Sequence, residues 1–153
     1  MAEQLVRFHE EVETLLCTRC QGVQIPPNCF TTMQGKFLQY ESRTALTTAF
    51  PVLNETLNPI QTMQGGFIAA AFDNTFGPLT YLAARALCVT IDLHTQFIRT
   101  IEEGDTLIIS AKVISRGPAT IVLSAEAQNS KGKLIATASA TAMIVKDRSE
   151  AQR

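Results

Sequence analysis

From residue 89 onward the chain repeats one pattern four times, with apolar or small side chains at every second position. The four sets are Val89, Ile91, Leu93, Thr95 and Phe97; Leu107, Ile109, Ala111 and Val113; Ile121, Leu123, Ala125 and Ala127; and Leu134, Ala136, Ala138, Ala140, Ala142 and Ile144. A period of two sends successive side chains to opposite faces, so each run predicts a strand with one face on a core. The connectors Glu103-Gly104-Asp105, Arg116-Gly117-Pro118 and Asn129-Ser130-Lys131-Gly132-Lys133 are short and turn-like, which predicts an antiparallel meander.

Such a sheet needs a cover for its apolar face. Gly65 to Ala86 is rich in Ala and Leu and too long for a strand, so it predicts a helix, with Pro78 kinking it or ending its first half. Ahead of it, residues 32–41 and 43–51 read as a hairpin of two strands, and Leu53 to Met63 as a loop. Leu5, Phe8, Val12, Leu15 and Leu16 recur at helical spacing, so residues 3–18 predict an amphipathic helix, with Gln21 to Asn28 as a linker into the fold proper. The expected architecture is α+β, a curved antiparallel sheet of about six strands wrapped on one long helix, in a single domain over residues 1–153 with its core in 32–146. Ala136, Ala138, Ala140 and Ala142 offer a shallow face for a helix carrying Phe67, Phe72 and Phe76. Ile108, Ile114, Val122, Ile135, Met143 and Val145 fall on the other face, which one helix cannot also cover, so an oligomer is expected.

Charge narrows the partners. With 13 basic and 14 acidic side chains and a net charge of -1, no nucleic-acid or anionic-membrane surface is expected. The acidic start of the chain does not read as a signal peptide, and Asp73, Asn74 and Pro78 interrupt the longest apolar region, so a cytoplasmic protein without a membrane span is expected. Cys17 and Cys20 have half the spacing of a metal site, but no further ligands follow at a matching interval, so no metal and no cofactor are expected. His9 and His94 read as surface residues.

Within the stretch NPIQTMQGGFIAAAFDNTFGPL, Asp73 sets a carboxylate in an apolar helix. A buried unpaired carboxylate costs several kcal/mol, so its presence points to use. Asn58 stands six residues before Gln64-Gly65-Gly66, and Asp73 nine after Gln64. This spacing, with the downstream strand TIDLHTQFIRTIEEGDTLIISAKVISRG, resembles the hotdog-fold acyl-CoA thioesterases of the phenylacetate-degradation (PaaI-like) family over roughly residues 35–146. In that family Asn precedes His-Gly-Gly by six residues and Asp follows the His by nine; here Gln64 replaces the His.

The resemblance implies hydrolysis of an acyl-CoA to a free acid and coenzyme A. Thioester hydrolysis needs a donor for the carbonyl oxygen and a group that attacks, or delivers water to, the carbonyl carbon. The helix N-terminus offers unpaired amides and a positive dipole end, and Gly65 and Gly66 let a carbonyl approach, so the Gly65 amide is the expected oxyanion donor. Asp73 is the expected nucleophile or general base, with Asn74, Thr75 and Thr90 as possible hydrogen-bond donors to it. Along the helix the Gly65 and Asp73 positions are separated by roughly 12–14 Å, too far to serve one carbonyl. In the resembled family the Asp of one subunit faces the Gly and Asn of the other, implying two composite sites per dimer, in a homotetramer built as a dimer of dimers.

The family also often places a hydroxyl at the start of the strand after the helix, which implies that Thr90 orients the water or the carboxylate. Asn58 would hydrogen-bond the thioester or the water, although Asn before Pro also starts ordinary turns, and Gln64 would hold the loop. Gln64 cannot transfer a proton, which counts against the dehydratase branch of the fold and leaves a non-catalytic acyl-CoA binding or sensing module as the alternative. Gly66, Phe72, Asn74 and Phe76 are expected around the substrate, with Phe8 or Leu5 as further acyl contacts. Arg99 and Arg116, with Lys112, Lys131 and Lys133, are candidates for the coenzyme A phosphates.

Overall fold

The computed structural model describes residues 2–20 and 22–145. Its elements are α1 (Ala2–Thr18), α2 (Asn28–Thr32), β1 (Lys36–Glu41), β2 (Ala45–Pro51), a single 3-10 turn (Asn54–Thr56), α3 (Gly65–Ala84), β3 (Cys88–Phe97), β4 (Thr106–Arg116), β5 (Thr120–Gln128) and β6 (Leu134–Ile144). The six strands form one antiparallel sheet in the order β1-β2-β4-β5-β6-β3. The sheet wraps α3, with Ile109, Leu123, Ala136, Ala140 and Ala142 buried on its inner face and Phe72, Phe76 and Leu79 buried on the helix. This is the hotdog architecture.

Several details depart from the sequence expectation. The meander holds for β4, β5 and β6, but β3 pairs with β6 and not with β4. The segment after β3 therefore crosses the end of the sheet: Ile98 and Arg99 donate their amides to the Ile135 carbonyl at 2.8 and 3.0 Å, and Ile101 accepts from Met63. Residues 32–35 are not strand, and Phe30 in α2 fills the space under the first hairpin, stacked on Phe37 at 4.5 Å and edge-on to Phe50 at 5.3 Å. Pro78 does not end α3, which runs on to Ala84. Ile135, placed by alternation on the outer face, is buried, whereas Ile114, Val122 and Met143 are exposed there.

α1 lies against β1. Phe8, Val12 and Leu15 are buried, and Phe8 packs on Phe37 and Tyr40 with ring centroids 4.5 and 5.2 Å apart. At the rim Glu11 accepts hydrogen bonds from Tyr40 (2.8 Å), Ser42 (2.6 Å) and Arg7 (3.1 Å), tying the helix to the β1–β2 turn. Phe8 is fully buried by this packing.

β3 is both a sheet edge and unusually bare. Val89, Ile91 and Phe97 are 44, 56 and 56% exposed, where simple alternation predicts one buried face. The register shifts between Thr90 and Asp92, leaving Ile91 as an extra residue. A bulge of this kind reverses which side chains face the core beyond it. Thr90 and Phe97, seven apart, therefore both reach toward α3, an arrangement that an unbroken period of two forbids.

Candidate active site

The loop before α3 is built to hold the helix entrance. The Asn58 side-chain oxygen accepts the amides of Ile60 and Thr62 at 3.0 and 3.1 Å, and its amide donates to the Thr62 hydroxyl at 2.9 Å. The Gln64 amide donates to the Thr56 carbonyl at 2.8 Å, and the Met63 amide to Ile101 at 2.9 Å. Asn58 thus closes its own loop, as an Asn before Pro does in turns.

Gln64 is the N-cap of α3, its Oε1 accepting the Phe67 amide at 3.2 Å. Phe67 and Ile68 also donate to the Gln64 carbonyl. The first amides of a helix have no intrahelical acceptor, so the N–H groups of Gly65 and Gly66 remain at the positive end of the dipole without a partner among the described residues. A side chain at Gly65 would meet the Phe97 ring at 3.0 Å, and one at Gly66 would meet Gln64 Oε1 at 2.7 Å. Asn58, Gly65, Ile68, Phe97 and Arg99 share one cleft of about 310 Å³. Phe97 is the contributor that the sequence reading missed. Its position at the end of a strand gave no signal of its own, because the contact depends on the bulge at Ile91.

Asp73 is exposed on the outer side of α3, not enclosed in the apolar interior as its flanking residues suggest. The Thr90 hydroxyl donates to its Oδ1 at 2.8 Å. Of the three donors expected for Asp73, Thr90 alone reaches it. Asn74 points inward, accepting from the Cys29 thiol at 3.0 Å and donating to Met33 Sδ, and so fixes α2 to α3. Thr75 bonds the Thr48 hydroxyl and the Ala71 carbonyl. Phe72 and Phe76 are wholly buried between helix and sheet, and Asn74 is buried beside them.

The basic candidates divide. Arg99 donates to the Leu134 carbonyl at 2.9 Å and joins the Gly65 cleft to a neighbouring one that Lys131 and Lys133 also line, together with Glu102 and Asp105. Arg116 sits at the opposite end of β4, paired with Ile121, and Lys112 lies mid-strand on the exposed face. Within one chain, then, the helix entrance with Asn58, Gln64 and Gly65 forms one group of polar residues, and Asp73 with Thr90 forms another. Eight residues of helix separate the two groups by roughly 12 Å. Among the described residues no cluster of potential metal ligands is formed, and no helix is long and apolar enough to cross a membrane.

A family model described as the thioesterase superfamily matches residues 61–136, from the loop before α3 into β6. No curated protein matches. Among solved structures, a Ralstonia eutropha putative thioesterase related to phenylacetic acid degradation is 27% identical, with 88% of this chain and 98% of that one covered and a TM-score of 0.73. The Escherichia coli PaaI protein of the phenylacetic acid degradation operon is 18% identical over 91% of this chain and 94% of its own, with a TM-score of 0.77. A Streptococcus mutans protein bound to acetyl-CoA is 20% identical over 84% of this chain and 97% of its own, with a TM-score of 0.71. The helix-entrance amides, the Asp73–Thr90 pair and these likenesses converge: the chain belongs to the thioesterase superfamily, as a PaaI-like thioester hydrolase of hotdog fold.

Proposed function

We propose that the protein hydrolyses an acyl-CoA to a carboxylic acid and coenzyme A in sites shared between two copies of the chain. The observation that carries this is the Thr90–Asp73 hydrogen bond, which orients an exposed carboxylate on a helix otherwise packed into the core. A carboxylate held by one hydroxyl keeps lone pairs free to take a proton from water or to attack a carbonyl. The Gly65 amide of the second copy is the donor for the carbonyl oxygen, and Asn58 and Gln64 hold that amide in place through the loop and the cap. Bond by bond, water's oxygen joins the carbonyl carbon as Asp73 takes its proton, the carbon–sulfur bond breaks, and the thiolate leaves and takes up that proton as coenzyme A; where Asp73 itself attacks, the same bond breaks and water then cleaves the resulting anhydride.

The bare edge at β3 supports the pairing of chains. Val89, Ile91 and Phe97 are exposed beside unpaired backbone groups, a surface that isolated edge strands avoid. The exposed apolar side chains of the outer sheet face, Ile114, Val122 and Met143, favour association of such dimers in pairs. Arg99, with Lys131 and Lys133, stands beside the Gly65 cleft where the phosphates of coenzyme A would enter.

The deciding experiment is thiol release from short, medium, long and aryl acyl-CoAs by the wild type and by Asp73→Asn. We expect release by the wild type and a loss of about 10²-fold or more in the variant. Tight acyl-CoA binding with no release from either protein would instead identify a sensing module.

A further inference from the structure

We infer that the protein has a second ligand site, for a nucleoside diphosphate group, in the cleft between α1 and the C-terminal end of α3. Four arginines line it: Arg7 and Arg19 from the two ends of the α1 stretch, roughly 18 Å apart along it, Arg43 from the β1–β2 turn and Arg85 from the end of α3, around a floor that includes Leu15 and Leu82. The cleft has a volume of about 340 Å³, at the lower end of the range for small-molecule sites.

The charges do not cancel internally. Glu11 takes up Arg7 at 3.1 Å and Arg43 at 3.6 Å, and Glu10 is the other carboxylate on the rim, leaving four positive charges against two negative. Arg19 and Arg85 form no hydrogen bond or ion pair through their side chains among the described residues. Arg85 is also the C-cap of α3 and adopts a left-handed backbone, φ 55. Glycine is the ordinary residue at such a place, since any side chain there is strained. An arginine in a strained position, with its guanidinium unpartnered among the described residues and beside a cleft that three more arginines line, is suited to binding an anion.

The shape of the lining selects the chemistry. Guanidinium groups present planar forks that match phosphate oxygens, and their faces stack on aromatic rings. With an apolar floor below, the cleft fits a ligand that joins two phosphates to a flat base. Two sources share that group: a free nucleotide, and the adenosine diphosphate part of coenzyme A, which would then lie here and not beside Arg99. Arg85 lies twelve residues beyond Asp73 on the same helix, roughly 18 Å away, a distance that either source can occupy.

The test is calorimetric titration of the full-length protein with ADP, pyrophosphate and adenosine, using the wild type, Arg19→Ala and Arg85→Gly. Arg85→Gly relieves the strained backbone and should melt no lower than the wild type, so lost binding in it is not lost folding. We expect ADP to bind more tightly than pyrophosphate, adenosine to bind weakest, and each variant to weaken ADP by at least tenfold. If the variants also raise KM for acyl-CoA, the source is the substrate's own nucleotide; if KM is unchanged, it is a separate nucleotide. Failure of both ADP and pyrophosphate to bind, or binding that the two variants leave intact, would overturn the inference. Because ADP binding is read without turnover, this result is independent of whether Asp73 hydrolyses thioesters.

Discussion

At Asp73 a single hydroxyl decides how the carboxylate points. The Thr90 bond at 2.8 Å is the one side-chain hydrogen bond to Asp73 among the described residues, and bonds to charged groups contribute about 1.5–3 kcal/mol. Thr90→Val keeps the shape and removes that donor. Because Asp73 is exposed and tolerates water as a substitute, the fold should hold, while thiol release should fall roughly 10- to 100-fold. Equal rates in Thr90→Val and wild type would mean that the carboxylate needs no orienting group. Asp73 and its distance from Gly-Gly were legible in the sequence because they are local spacings. The isolation of Asp73 from Asn74 and Thr75 was not, since those two are turned into the core by contacts with Cys29, Met33 and Thr48, all far away in the chain.

Among the elements, α1 is held by polar contacts whose ionisation sets a pH window. Burial acts to raise the Glu11 pKa, but hydrogen bonds from Ser42, Tyr40 and Arg7, with the charge of Arg43, outweigh it and hold the carboxyl below its ordinary 4.5. Burial pushes Tyr40 up to about 12, and its bond to Glu11 adds to the rise while the Arg43 amide opposes it. A lowered acid stabilises above its unfolded pKa and loses that contribution as pH falls through the folded value. A raised phenol stabilises below 10 and loses its contribution as pH climbs toward about 12. Thermal melts should therefore decline at both ends. Glu11→Gln should cost roughly 1–3 kcal/mol at neutral pH and flatten the acid limb below 4.5. An unchanged acid limb in that variant would remove Glu11 from the account. Helices α1 and α3 were readable almost to the residue, because each carries many turns of consistent pattern. The five-residue α2 was not, nor was the bulge at Ile91, since neither is long enough to impose a period.

For the whole molecule, the proposed site draws its two halves from a pair of chains, and that geometry can be tested without an image of the dimer. Asp73→Asn removes the carboxylate and leaves the helix entrance intact. Gly65→Val does the reverse, since the added side chain meets the Phe97 ring, already 3.0 Å from a bare Cβ. Each variant alone should be nearly inactive. In a dimer formed from one copy of each, one site pairs the intact Gly65 of the first chain with the intact Asp73 of the second, while the other site carries both lesions. Random re-pairing after mild dissociation makes about half of the dimers mixed, so about a quarter of wild-type thiol release should return. Sites contained within single chains would regain nothing on mixing. Return of activity would also tie the apolar β3 edge to catalysis, because chain pairing would then supply the carboxylate as well as cover exposed Val89 and Ile91. The sequence carries both groups and still shows them as separate, since along one helix they lie roughly 12 Å apart, a gap that a second chain would close in the proposed dimer.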